Sequence, residues 1–311
     1  MNAFQPAYLE TFRSGHLEEI IQQAVAMLSD CQLCPRRCKV NRREEQLGIC
    51  QTGAQAQVSS YDTHFGEEAP LVGRHGSGTI FFTHCNLLCN FCQNFDISHE
   101  GFGHQVSQTA LAEMMVALQD AGCHNINFVT PTHVVPQILT ALPLAIQQGL
   151  HVPLVYNTSG YDRVSSLKLL EGVVDIYMPD FKFWDPQVAK ATCNAADYPK
   201  VTRRALLEMH RQVGDLVVDE RGIAQRGLLV RHLVLPAGLA GTEPIMRFIA
   251  QQVSPRTYVN VMKQYHPCGE AHNIQELARP LNDREYQEAV QCAKAQGLQR
   301  LDKPRRVFML Y

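Results

Sequence analysis

The 311-residue sequence predicts an α/β fold, a parallel sheet rolled into a full or partial (β/α) barrel of the TIM-barrel kind, preceded by a small cysteine-rich segment. Three observations predict it. From residue 78 onward, short apolar runs alternate at least six times with stretches of helical spacing. The runs are apolar enough to be buried strands of a parallel sheet. Polar residues gather directly after them, where a barrel carries its chemistry.

Taken in order, Leu17, Ile20, Ile21, Ala24, Val25 and Leu28 have helical spacing and predict a helix over 16–29. Residues 31–76, rich in Gly, Arg and short polar stretches, read as an irregular segment tied by metal. The expected division is therefore 1–76, helix and cysteine-rich segment, and 77–311, barrel domain. A buried strand follows at 79–82. The next helix carries Leu111, Met114, Met115 and Leu118 on one face and stops at Gly122. Then come a strand at 126–129 and a helix over 134–148, interrupted or restarted near Pro143. A strand at 152–156, a helix at 164–170 and a strand at 173–178 continue the alternation. A helical region spans 185–213, and a strand 228–235. The chain closes with a helix at 243–253, a strand at 258–262, a helix at 283–296 and a last strand at 307–310.

Composition narrows the function. Hydrophobic residues make up 45% and charged residues 19%, enough for a large core. Lys plus Arg (28) nearly balance Asp plus Glu (30), so no broad basic surface is implied and nucleic acid is not expected as the main partner. No apolar run reaches the length of a membrane span, and residues 1–13 lack an apolar signal core. A cytoplasmic location is the expectation. There thiols stay reduced, and the 11 cysteines read as metal ligands rather than disulfides.

Seven of those cysteines are clustered. Cys85, Cys89 and Cys92 form a C-x3-C-x2-C loop directly after the first barrel strand. A structural zinc closes on four ligands, whereas a cubane cluster held by three thiolates leaves one iron open to chelate a small molecule. Cys31, Cys34, Cys38 and Cys50 supply four thiols within twenty residues, which suit either a closed zinc site or a second iron–sulfur cluster. Cys123, Cys193, Cys268 and Cys292 have no partner spacing and read as small buried residues, with Cys268 close enough to the barrel mouth for substrate contact or hydrogen donation. No histidine is assigned as a ligand. The glycines at 73, 76 and 78 precede a strand and form no phosphate loop.

The three-cysteine loop, with Phe91 before its last cysteine, resembles the signature of the radical S-adenosylmethionine (SAM) superfamily. That resemblance implies a 4Fe-4S cluster on Cys85, Cys89 and Cys92 whose open iron binds SAM. Reductive cleavage of SAM then releases a 5′-deoxyadenosyl radical that abstracts hydrogen. Phe91 would lie against the adenine. Over residues 78–266 the chain is most similar to the pyruvate formate-lyase activating enzymes and their uncharacterised relatives, oxidoreductases or lyases of this superfamily. Met178, Asp180 and Lys182 resemble that family's M-x-D-x-K strand end, and residues 157–160 its D-T-N-G turn. Arg231 resembles the arginine of its R-x-V-V-V-P strand, and Tyr265–His266 its late Y-H pair. The resemblance implies that Asp180, Lys182, Arg231 and His266 line the SAM pocket with Thr130, Asn157 and Thr158. It also implies a monovalent cation beside SAM, at Thr158, Met178 and Asp180. The implied partners are an electron donor such as flavodoxin or ferredoxin, and a glycyl radical enzyme.

Two positions depart from the family pattern. Residues 129–133 read Val-Thr-Pro-Thr-His where a Gly-Gly-Glu-Pro turn is usual, and Asn157 stands where an aspartate is usual. Two carboxylates are thus missing, although threonine hydroxyls and backbone carbonyls can still accept from an ammonium. Read without the resemblance, Asp180–Lys182 is a strand-end ion pair, Arg231 a charge inside a barrel and His266 a loop histidine. Three functions remain open: hydrogen abstraction from a glycine of a partner protein, radical chemistry on a small molecule, and a non-catalytic iron–sulfur protein for electron transfer or redox sensing.

Overall fold

Every strand of the parallel sheet alternates in the same phase, and that alternation decides what faces the barrel axis. The computed structural model describes residues 4–303, so the strand expected at 307–310 lies outside the described residues. Two helices, α1 (Ala7–Arg13) and α2 (His16–Ala26), open the described chain, separated by Gly15 at φ 81°. A left-handed residue at that point breaks the helix, and glycine takes it without a Cβ penalty. Helix α2 buries Leu17, Ile20 and Ala24 and ends at Ala26, short of the expected 29.

Residues 27–55 contain little regular structure. The strand β1 (Ala56–His64) and the short helix α3 (Ala69–Val72) then lie inside the stretch expected to be irregular. Only Ala56 and Val58 of β1 are buried, so the strand has little hydrophobic pattern of its own. Its partner β2 (Ser77–Phe82) supplies the pairing, antiparallel from Val58 to His64.

After the three-cysteine loop come α4 (Phe95–Ser98), β3 (His104–Val106), α5 (Gln108–Asp120, capped by Ser107), β4 (Ile126–Val129) and α6 (Val135–Gln147). Pro143 sits inside α6 without interrupting it. The helix is buried along most of its length, and that burial outweighs a local cost of about 3 kcal/mol. Next are β5 (Leu154–Thr158), α7 (Val164–Lys168), β6 (Ile176–Pro179), α8 (Pro186–Cys193) and α9 (Tyr198–Val213). The helical region expected over 185–213 is thus two helices, parted at Asn194, whose φ of 48° ends α8. The remainder is β7 (Val217–Val218), β8 (Ala224–Leu233), α10 (Thr242–Phe248), which runs on as a π-type turn to Val253, β9 (Tyr258–Met262) and α11 (Asp283–Ala295). Helix α11 starts on a reciprocal cap between Asn282 and Glu285. Among the described residues no helix is long and apolar enough to cross a membrane.

The parallel strands run β2-β4-β5-β6-β8 across the sheet, and β9 pairs with β8. Antiparallel β1 covers the outer edge of β2, and β3 pairs with β1. Among the described residues no strand joins β9 to β2, so the described sheet is open on that side. Leu154, Tyr156, Tyr177, Leu228 and Val230 pack outward against helices. Val155, Ile176, Met178 and Leu229 form an inner core. The segment between β1 and β2 fills the open side. Leu71 enters the inner core, and Asn260 of β9 donates to Glu68 at 2.9 Å.

Candidate active site

The phase that buries Val155, Met178 and Leu229 inside places Asn157, Asp180 and Arg231 on the same inner face, one step further toward the strands' carboxyl ends. There they border a cavity of about 330 Å³. Cys85, Cys89 and Cys92 line it with Phe91, Thr130, Asn157, Thr158, Asp180, Lys182 and Arg231. Stretches of chain from the cysteine loop to β8, far apart in sequence, therefore share one space. His266 does not join them: its side chain is exposed, its ring bonds only to the carbonyl of Gln264, and Gln264 lines the cavity instead. Past β9 the chain is irregular, with Tyr265 buried and His266 exposed.

The polar wall is a single network. Arg231 Nε donates to Asp180 at 2.8 Å and its Nη2 to Asn157 at 2.7 Å, while Lys182 Nζ meets the other Asp180 oxygen at 2.6 Å. Burial works against the Asp180 carboxylate, but Arg231 and Lys182 together hold it below its usual range. Burial also opposes the charge on Lys182, yet Asp180 keeps it firmly protonated. The ends of β5 and β6 are locked together by Tyr198 of α9, whose hydroxyl donates toward the Ser159 and Asp180 carbonyls and accepts from Lys182 N–H. Gly160, at φ 77°, lies so close that a Cβ would stand 2.3 Å from the Asp180 carbonyl oxygen.

The groups implied for a monovalent cation are already engaged. Thr158 donates to the buried Asp162 at 2.6 Å and meets Thr132 at 3.0 Å, and Asp180 carries two cationic side chains. Thr130 holds φ 60°, uncommon for a β-branched residue, and its N–H donates to the Asn157 carbonyl.

The thiol wall has backing that its sequence spacing does not reveal. Cys193, expected to be an isolated buried residue, donates to Cys89 Sγ at 3.3 Å from behind, outside the cavity lining. Leu87 N–H donates to Cys85 Sγ at 3.3 Å. Burial pushes the Cys85 thiol up to about 12 and raises Cys92 as well, so metal binding there would release protons. Phe91 is held edge-on by Phe183 and Tyr265. Among the described residues no group of three or more His, Cys, Asp or Glu side chains is arranged to hold a single metal ion.

Sequence reasoning missed His64 and Glu67, both of which line the cavity from the segment filling the barrel's open side. Glu67 lies 3.7 Å from Arg231 and 3.6 Å from His64. Burial first, and then Glu68, push its carboxyl up to about 7. A raised acid binds its proton more tightly folded than unfolded. Its contribution to stability is therefore full below its ordinary value of 4.5 and is lost as pH rises through 7. Glu67→Gln should remove about 1–3 kcal/mol of that decline, read by urea unfolding at pH 5 and pH 8. An unchanged slope between the two would refute the burial argument.

No family model matches the chain. A relative does: Uncharacterized protein MJ0674 of Methanocaldococcus jannaschii is 32% identical over 300 residues, covering 93% of this chain and 82% of that protein. The chain belongs to the MJ0674 family. Two solved structures are similar at lower levels to this member of the MJ0674 family. A radical SAM methyltransferase from Sphaerobacter thermophilus aligns with TM-score 0.47 and 15% identity over 71% of the chain, which spans 64% of that protein's length. QueE from Escherichia coli aligns with TM-score 0.43 and 10% identity, over 81% of this chain and 95% of its own.

Proposed function

We propose that this protein is a radical SAM enzyme, with Cys85, Cys89 and Cys92 holding a 4Fe-4S cluster and SAM bound in the cavity they line. The observation that carries the reading is the meeting of three thiols with a charged network in one cavity at the carboxyl ends of the strands. No further cysteine lines that cavity among the described residues, which suits a cluster with one iron left for an outside ligand. When bound, cluster and SAM supply one-electron chemistry that ends in hydrogen abstraction from a substrate.

The chain's own residues bind and orient. Asp180 offsets one of the two cations beside it, so Lys182 and Arg231 present a net positive charge to the cavity. Such a wall favours a carboxylate-bearing ligand. Thr130 offers its polar atoms to an ammonium in place of the carboxylates missing from the activating-enzyme pattern, whereas the Asn157 amide oxygen and the Thr158 hydroxyl line the cavity already bonded to Arg231 and Asp162. Phe91 gives a ring for an adenine.

Within this class, the resemblance at Met178, Asp180, Lys182 and Arg231 supports activation of a glycyl radical partner. Cys31, Cys34, Cys38 and Cys50 are read as a second metal site. Protein reconstituted anaerobically with iron and sulfide, and reduced with dithionite, is expected to convert SAM to methionine and 5′-deoxyadenosine. Absence of both products would defeat the proposal. A glycyl-radical EPR doublet on a co-expressed partner tests the finer reading, and its absence with turnover of a small molecule would replace it.

A further inference from the structure

We infer that Cys31, Cys34, Cys38 and Cys50 hold a second iron–sulfur cluster that passes single electrons to the three-cysteine centre. The relay role rests on the proposed SAM chemistry; the cluster itself rests on the local structure. Three stretches of chain bring the four thiols together. Cys31 N–H donates to the Val40 carbonyl at 3.0 Å, and Lys39 N–H to the Cys31 carbonyl at 2.9 Å. Arg37 N–H closes a turn on the Cys34 carbonyl. Gly48 packs so closely that a Cβ would lie 2.8 Å from Cys38 Sγ.

The surroundings are built for thiolates. Ile49 N–H points at Cys38 Sγ at 3.5 Å, and Arg42 Nη1 at Cys31 Sγ at 3.9 Å. The Thr52 hydroxyl donates to the Cys50 carbonyl at 2.8 Å and fixes the chain beside that thiol. Arg37, Lys39 and Gln51, beside Cys38 and Cys50, all adopt positive φ, as His84 and Leu88 do beside Cys85 and Cys89. Each such residue costs about 1 kcal/mol or more, and the two cysteine groups share the device. Arg42 is 1% exposed, and its remaining donors go to the neutral carbonyls of Gly53 and His133. Metal-bound thiolates at this position would supply negative charge beside a guanidinium otherwise bonded to neutral carbonyls.

Position argues for iron over zinc, which has no redox chemistry. Arg36, between Cys34 and Cys38, donates to the carbonyls of Asn86 and Leu87 inside the three-cysteine loop, and to that of Cys193, whose sulfur touches Cys89. The two thiol groups are therefore joined through one side chain. Cys38 is the least buried of the four and forms the outward edge. One electron enters there from a low-potential donor of the flavodoxin or ferredoxin class, and one leaves to the inner centre. Each transfer reoxidises the giver, and no atom moves.

The test uses the full chain, reconstituted with iron and sulfide. About eight irons and eight sulfides per chain are expected, falling to about four of each in Cys34→Ser/Cys50→Ser. In the reduced parent protein, SAM should alter one of two EPR signals and leave the other unchanged, a readout that does not depend on the variant folding. The ratio of flavodoxin-driven to dithionite-driven SAM cleavage should fall at least ~10-fold in the variant. One zinc per chain in the parent, about four irons in both proteins, or a single EPR signal would overturn the second cluster. Eight irons without SAM cleavage would instead support the second cluster and defeat the parent reading, so the two failures are distinguishable.

Discussion

Cys89→Ala is expected to abolish SAM cleavage, by more than ~1,000-fold or about 4 kcal/mol, and to take the cavity's iron with it. Three thiols line that cavity, and a cluster anchored by two has lost the wall that positions it. Cys193→Ala should behave in the opposite way. Its sulfur lies 3.3 Å behind Cys89 and outside the lining, too near for the two to serve separate irons of one cubane. Iron content should therefore be kept. What Cys193→Ala removes is a hydrogen bond to a thiolate, which stabilises the more negative, reduced state; its loss should lower the reduction potential by tens of millivolts, on the order expected for one such bond. Spectroelectrochemistry reads this directly. If Cys193→Ala lost the cluster while Cys89→Ala kept it, the ligand assignment would have to be exchanged.

The second large effect is on stability. Asp180→Ala should cost about 3–5 kcal/mol, because Lys182 and Arg231 are left buried with their common carboxylate gone. Glu67 stands 3.7 Å from Arg231, and with its carboxyl pushed up to about 7 it is only about half ionised at neutral pH, so it restores part but not all of the missing charge. The pH dependence gives a second check. The Asp180 carboxyl is depressed in the folded protein, so its contribution is present above its ordinary value of 3.8 and is lost as pH falls through the folded value. Wild type and variant should differ most at neutral pH and converge in acid. A loss under about 1 kcal/mol in urea unfolding at pH 7 would mean that water, not Asp180, balances the two cations.

These expectations draw unequally on sequence and structure. The alternation of apolar runs and helical spacing after residue 78 named the parallel strands, because each such strand is buried on both faces and carries its own signal. Strand β1 went unread because only Ala56 and Val58 are buried, and its partner β2 creates the pairing. Pro143 misled for the converse reason, a strong local rule overridden by the burial of α6.

The chain's chemistry follows the same division. Residue type and spacing along a single stretch determined that Cys85, Cys89 and Cys92 form one group and that polar residues follow each strand, since neighbours in sequence stay neighbours in any fold. Only the tertiary structure decided that Glu67 enters the barrel's open side, that Cys193 backs Cys89 across 104 positions, and that Arg36 bridges the two cysteine groups. It likewise turned His266 outward while Gln264 took the cavity wall. Such contacts come from loops and from the meeting of distant elements, where neither periodicity nor spacing constrains which side chain arrives, and packing alone selects it.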